Sequence, residues 1–462
     1  MSDDLDRRDF IRLSSGALVV STGSAMGAER PATRPKPSKA PPSERVRLAS
    51  IGVAGRGTAL LNSFRALRDP EIVAAVDVYK PHRERAAKLA GGNCQAYEDY
   101  REVLDRKDVD GVVIATPTHW HGPIALAACL ADKDVYVEKP MTHNVHESLL
   151  LRKVAGERKR VTQVGTQIHS GANYKRVVEL VRAGVLGKIT HVRGWMVCNE
   201  APDGIGKPAD VEPLGGLNWD FWLGPAPVSP FNINKFKTGW FRYFWDYGGG
   251  WITAMAPHLI DLWFYALPDL AAPTGVAASG GRWAVDDNAE TPDSQYVLYD
   301  FAGMTVMWSH SSANSYGYEL QTGAPTPTTR SKPNKTAIVP CKMRRRIGVA
   351  FQGTNGTLAA DYGKHGIWTE GDRIKDEDLK DIPTPPAHNH YDEFVQCIKT
   401  RKTPSCNVAY HHKVNLVCHL GNIALRVNRK IRWDDKAETL VGDAEAARLM
   451  TRDYRESYAL PV

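Results

Sequence analysis

Short apolar runs and longer amphipathic stretches take turns through the first third of the chain. Residues 46–51, 71–77, 109–115, 135–138 and 161–164 are rich in Val, Ile and Ala, as strands buried on both faces require. Between them, residues 59–67, 80–89, 97–104, 123–131 and 145–157 carry helical spacing. Strands alternating with helices predict a parallel sheet with right-handed crossovers. Such sheets bind ligands outside the carboxyl ends of their strands. That rule gathers residues 52–57, Asp77, residues 116–121 and residues 138–140 on one rim.

The pattern changes near Gln167. A helix is expected over 174–183 and a long strand over 189–198. Residues 200–250 are rich in Trp, Gly and Pro and read as loops, and 251–267 read as mostly helical. Strands are expected at 294–301, 303–310 and 346–352, with an excursion loop at 319–345. Residues 388–429 read as helices, most clearly at 391–398 and 408–427. Runs of strands after one pair of helices predict a second, open, mainly antiparallel sheet.

The amino terminus stands apart from both patterns. Residues 1–28 place Arg7 and Arg8 ahead of a weakly apolar stretch ending near Ala28, as in a twin-arginine export signal. Residues 29–45, rich in Pro, Lys and Ser, read as a flexible linker. The chain has 462 residues, room for two domains. No apolar run approaches the roughly 20 residues needed to span a membrane. The net charge of +7 is modest at this length, and the basic cluster at 342–346 reads as a solvated loop, so no nucleic-acid partner is expected. Seven cysteines show no zinc spacing, and their odd number leaves at least one thiol unpaired in a monomer.

The rim carries candidate chemistry. Gly52, Gly55 and Gly57 form a turn between the first strand and a helix, where backbone N–H groups can face a pyrophosphate. Ala54 stands where a middle glycine is usual, and Arg56 is positioned to offset it with a phosphate contact. Asp77 ends the second strand 20 residues after Gly57, where a carboxylate accepts both ribose hydroxyls. It would repel a 2′-phosphate, so NAD is expected over NADP. The fold class is therefore read as α/β, with a Rossmann dinucleotide-binding domain over 46–166 and an α/β domain on an open, mainly antiparallel sheet over 167–462. The candidate cofactor-binding residues are Gly52, Gly55, Arg56, Gly57, Asp77, Thr116, Trp120, His121, Glu138, Lys139 and Gln167. His119 and His121 are better explained by hydrogen bonds or cofactor contact than by a metal, and no metal site is expected.

Two motifs carry proton chemistry. Glu138-Lys139-Pro140 ends a strand on the rim, where the lysine's charge favours a nearby alkoxide. Further on, Gly248-Gly249-Gly250 offers backbone freedom beside a ligand, and His258 and Asp261 stand three apart on a helical pattern. An imidazole has the pKa to take a proton from a hydroxyl. Asp246, Tyr247 and Asp261 are candidate substrate contacts. Six of the 12 tryptophans lie between Trp219 and Trp263, mild support for stacking on a sugar ring.

The order of glycine turn, acid-ended second strand, Thr116-Pro-Thr-His-Trp-His121, Glu138-Lys-Pro140 and Gly-Gly-Gly250…His258-Leu-Ile-Asp261 resembles the Gfo/Idh/MocA oxidoreductase family, over roughly residues 46–460. The resemblance implies that members act mostly on sugars, inositols and related polyols, and that the C-terminal sheet often forms an oligomer interface, so a homo-oligomer is expected. It implies that Lys139 is the catalytic, cofactor-facing lysine and His258 the acid–base histidine. One position departs. The family commonly has Asp four residues before this histidine, and Ala254 stands there.

Export constrains how such a site can work. An exported protein meets little free dinucleotide, so NAD must be retained and restored within each cycle. Three readings remain open: a sugar or polyol oxidoreductase with tightly bound NAD(H), an NAD-dependent glycoside hydrolase working by transient oxidation and elimination, and a non-catalytic sugar-binding protein. The carbohydrate is the expected partner in each.

Overall fold

The computed structural model describes residues 44–315 and 346–462. The export signal, nearly all of the linker, the 319–345 excursion and Cys341 lie outside the described residues. The first sheet has six parallel strands: β1 (Val46–Ile51), β2 (Pro70–Val76), β3 (Gln95–Tyr97), β4 (Gly111–Ile114), β5 (Asp134–Val137) and β6 (Thr162–Val164). Their order is β3-β2-β1-β4-β5-β6, so the winding reverses between β1 and β4. A crevice for ligands opens at such a reversal. Strand β3 replaces the start of the helix expected at residue 97. It is a three-residue edge strand with too few apolar positions to announce itself. The helix begins at Tyr100 instead, because the Asp99 side chain accepts from Arg101 N–H and caps it.

The second sheet has nine strands: β7 (Ile189–Val197), β8 (Gly275–Gly281), β9 (Ser294–Phe301), β10 (Met304–Ser311), β11 (Ile347–Gly353), β12 (Gly356–Ala360), β13 (His365–Thr369), β14 (Ile431–Asp434) and β15 (Thr439–Leu440). The order is β13-β12-β11-β7-β10-β9-β8-β14-β15. Strands β7 and β10 run parallel, and the other pairs are antiparallel, as expected of an open antiparallel sheet. Helices Ala172–Arg182, Pro257–Ala266 and Val408–Val427 share its core. On β9, Tyr296 and Leu298 alternate with buried neighbours and stay about half exposed.

The segment expected as one helix over 251–267 is two helices, Gly250–Ala254 and Pro257–Ala266. Proline has no N–H to continue a helix but suits a first turn, so the chain breaks at Met255 and restarts at Pro257. The C-terminal part then returns to the first sheet. Helix His390–Thr400 inserts Phe394, Val395 and Ile398 among Leu48, Leu60, Phe64 and Tyr136. Full burial of the Phe394 ring alone contributes about 2–3 kcal/mol. Six cysteines among the described residues are free, and all but Cys94 are buried.

Candidate active site

The glycine turn is set by close approach. Gly52 has φ +77°, and a Cβ on it would lie 2.5 Å from the Thr116 nitrogen. A Cβ on Gly57 would lie 1.8 Å from the Gly52 carbonyl oxygen. Strand and helix can therefore meet only through glycine at both positions. The helix Gly55–Arg65 starts four residues earlier than its apolar pattern announced, because the glycines themselves make its first turn. Its N-cap, Ala54, supplies no side-chain cap, and no acid stands in the first turn, so the leading N–H groups are left for an anion. Asp77 follows β2 with its carboxylate fixed by the N–H groups of Val53 and Tyr79, each at 3.0 Å.

The rim continues past β4 and β5. His121 is buried, with Nδ1 2.7 Å from the Pro140 carbonyl and Nε2 2.9 Å from that of Thr116, and it ties the two loops together. Trp120 Nε1 donates to the Trp222 carbonyl at 3.0 Å, and His119 Nε2 meets the same carbonyl at 2.8 Å. Arg56 does not point its guanidinium at a free phosphate position. It donates through Nε to Glu138 at 2.6 Å and stands near the Tyr391 hydroxyl at 3.4 Å. Burial works against the Arg56 charge, but Glu138 outweighs it and keeps the group protonated.

Gly52, Gly55, Arg56, Asp77, Thr116, Trp120, His121, Glu138 and Gln167 line a cavity of about 530 Å³ that also holds the proton chemistry, whereas Gly57 and His119 stand behind its wall. Lys139 Nζ donates to the Ala254 carbonyl. Burial lowers the Lys139 pKa to about 8, with Arg242 and Arg56 adding to the shift and Glu138 opposing it. His258 lines the same cavity, edge-on to Tyr362 at 5.9 Å between ring centres. Burial, then the charges of Lys139 and Arg56, hold its pKa well below the usual imidazole range. Its Nδ1 is buried and has no hydrogen-bond partner among the described residues, and the same is true of Thr116 Oγ1 and Gln167 Oε1. A buried polar atom without a partner calls for an explanation, and a role at the site is one.

Three expected substrate contacts lie elsewhere. Asp261 faces away from the cavity into the interior, where it accepts from Tyr410 at 2.7 Å and pairs with His169 Nδ1 at 3.0 Å. Three residues along helix Pro257–Ala266 it neighbours His258, but it is not among the cavity-lining residues. Burial opposes its charge, but the His169 imidazolium outweighs it and holds the carboxyl low. Cys406 joins that pair, the ligand-type atoms of all three lying within 4.8 Å of one another. Asp246 and Trp245 line a separate cavity beside Arg426 and Arg452. Tyr247 is buried, with its hydroxyl 2.8 Å from Ser229 Oγ. The glycine triplet approaches the protein's own chain instead of a ligand: a Cβ on Gly248 would lie 2.5 Å from the Arg242 Cα. Of the six clustered tryptophans, Trp222 and Trp240 reach the cavity, while Trp263 is wholly in the core.

Arg242 and Tyr362 line the cavity and were not singled out by the sequence. Arg242 carried one signal, as the single arginine between Arg193 and Arg282, set among aromatic residues. Tyr362 carried none, because it is delivered by a turn after β12. The donor set fits a dinucleotide: uncapped helix N–H groups, a backbone-fixed carboxylate after β2, and unpaired Thr116, Gln167 and His258 atoms along one cavity.

Comparison with known proteins agrees with this arrangement. Residues 46–166 match the family model described as oxidoreductase family, NAD-binding Rossmann fold. Residues 205–294 and 364–460 match the model of that family's C-terminal alpha/beta domain. Among curated relatives, glycosyl hydrolase family 109 protein 2 of Shewanella sp. (strain ANA-3) is 31% identical over 203 residues, 40% of this chain and 44% of the relative. An alpha-N-acetylgalactosaminidase of Shewanella oneidensis is 28% identical over 211 residues, 41% of this chain and 45% of the relative. The matches thus span less than half the length of these relatives. Among solved structures, the WlbA dehydrogenase from Chromobacterium violaceum, in complex with NADH and UDP-GlcNAcA, aligns with TM-score 0.62 at 16% identity, over 86% of this chain and 98% of that one. A levoglucosan dehydrogenase in complex with NADH and levoglucosan aligns with TM-score 0.56 at 18% identity, over 84% and 99%. At such identities the likeness is one of fold.

Proposed function

This chain belongs to the Gfo/Idh/MocA oxidoreductase family, and on that premise we propose that it oxidises or reduces a hydroxyl-bearing carbon of a sugar or polyol. The observation that carries the reading is the meeting of Lys139 and His258 in one cavity with the glycine turn and Asp77. When bound, NAD supplies the acceptor or donor of hydride. Lys139 holds the negative charge that develops on the reacting oxygen. His258 is neutral near pH 7 and takes the hydroxyl proton. In reduction the same proton returns to the oxygen. The sugar-bound complexes among the structural neighbours support a carbohydrate. Native mass spectrometry of the purified protein should find bound dinucleotide, and a sugar and polyol panel should change its redox state. A protein that folds in the cytoplasm yet carries and binds no dinucleotide would overturn the proposal.

The relatives named as glycoside hydrolases favour a second reading. In it, oxidation at one carbon acidifies the neighbouring C–H, the glycosidic leaving group is eliminated, water adds, and the hydride returns. Aryl glycosides separate the two: aryl alcohol released without net NADH supports the hydrolase, and accumulated keto-sugar supports the oxidoreductase. Bound dinucleotide and bound sugar with neither product would point to a binding protein, the reading that Ala254 keeps open. We further propose export on the twin-arginine pathway, supported by Arg7 and Arg8, and self-association through the β9 face that exposes Tyr296 and Leu298. Fractionation of an Arg7→Lys, Arg8→Lys variant and mass photometry of a Leu298→Lys variant test these.

A further inference from the structure

The acids lining the cavity are all committed to partners within the protein. Asp77 holds two backbone N–H groups, Glu98 accepts from Arg83 at 2.9 Å, and Glu138 accepts from Arg56 at 2.6 Å. The end beside His258 is different. Ala254 puts a methyl group where a carboxylate is usual in the family, and its carbonyl takes one of the three Lys139 donors. Arg242 lines the cavity too, its guanidinium carbon 4.2 Å from the centre of the Trp251 indole. The Arg242 Nε is buried without a hydrogen-bond partner, and no carboxylate is within salt-bridge reach of the side chain among the described residues. Glu200, which might have neutralised it, is held by the Tyr243 hydroxyl and stands 3.4 Å from Trp251 Nε1. Gly248 admits the Arg242 backbone so closely that the position is set by the fold. Two cations thus stand at this end, Lys139 with Glu138 beside it and Arg242 with no carboxylate in reach among the described residues.

We propose that the sugar recognised here is an acid, its carboxylate seated between Arg242 and Lys139. This rests on the carbohydrate reading above and narrows its substrate class. A planar guanidinium pinned on an indole offers two parallel N–H donors, the geometry that a carboxylate accepts in bidentate form. In a neutral-sugar site Lys139 would still serve the reacting oxygen, but the Arg242 charge would face no counter-charge. Ala254 removes the one side chain that would repel the acid.

The test uses the holoprotein with its dinucleotide. Calorimetric titration compares glucuronate, galacturonate and mannuronate with glucose, galactose and mannose, and with glucose 6-phosphate. At least one uronate should bind about ten-fold or more tightly than its neutral partner. Arg242→Gln should abolish that preference, Arg242→Lys should keep part of it, and Ala254→Asp should reverse it, all with dinucleotide occupancy unchanged. Equal binding of acid and neutral sugars, preference for the phosphate, a preference that survives Arg242→Gln, or binding of no uronate would each overturn it. Oxidation of a neutral sugar without acid preference defeats this inference and leaves the oxidoreductase reading standing; loss of dinucleotide binding altogether defeats that reading.

Discussion

The two ends of the cavity are built by different means. The dinucleotide end is made of backbone: Gly52 and Gly57 admit a helix to a strand, N–H groups face outward, and Asp77 is locked by two of them. The substrate end is made of side chains brought from four separate segments, Lys139, Arg242, His258 and Tyr362. The first can tolerate almost no change in shape. The second is set by which side chains arrive, and position 254 contributes a methyl group to it. Rigidity at one end and adjustability at the other is how one scaffold keeps a cofactor while its substrate varies.

The contrast can be broken most severely at Gly57. A Gly57→Ala side chain would sit 1.8 Å from a backbone oxygen that cannot move alone. A loss of about 3 kcal/mol or more is expected, with little folded protein and no retained dinucleotide by thermal melting and native mass spectrometry. His258→Ala, at the other end, should leave melting and dinucleotide retention nearly unchanged while lowering turnover by roughly 10²–10⁴-fold. Turnover that survived would remove the acid–base role.

Smaller effects sharpen the same comparison. Lys139 loses its proton near pH 8, lowered there from the usual lysine value. Its charged form is the active one, so the oxidation rate should fall as pH rises through about 8, roughly ten-fold per unit once the amine is neutral. His258, held neutral, adds no limb in that range. Lys139→Arg stays charged and should abolish the decline; a rate that instead rises through pH 8 would make Lys139 the base. The least effect is expected from Asp77→Asn. It should narrow the preference for NAD over NADP by about ten-fold or less in fluorescence titration, and cost about 1 kcal/mol, because one backbone N–H loses its acceptor.

Much of this was legible before the structure. The first sheet follows from its alternating runs, and every strand of it was found except β3, whose three residues carry no apolar alternation. Lys139 and His258 were legible from motif order. Asp261, though three residues from His258, was misplaced, because helical spacing says which residues are neighbours on a helix but not which neighbour faces a cavity. Asp246 and Tyr247 were misread for a related reason: the glycine triplet beside them meets Arg242, not a ligand.

Sequence by itself determined the strand–turn–helix and its dinucleotide chemistry, since the glycine spacing and the acid ending the next strand are local features, with Gly57 held against Gly52 and Asp77 against Val53 and Tyr79. It also fixed the family and the absence of a carboxylate at 254. Tertiary structure alone decided what stands around His258. Arg242 and Tyr362 lie 16 and 104 residues from it along the chain and come near it only when the helices and strands of the second sheet pack together. Charge at a site depends on the sum of such arrivals, and no local pattern records that sum.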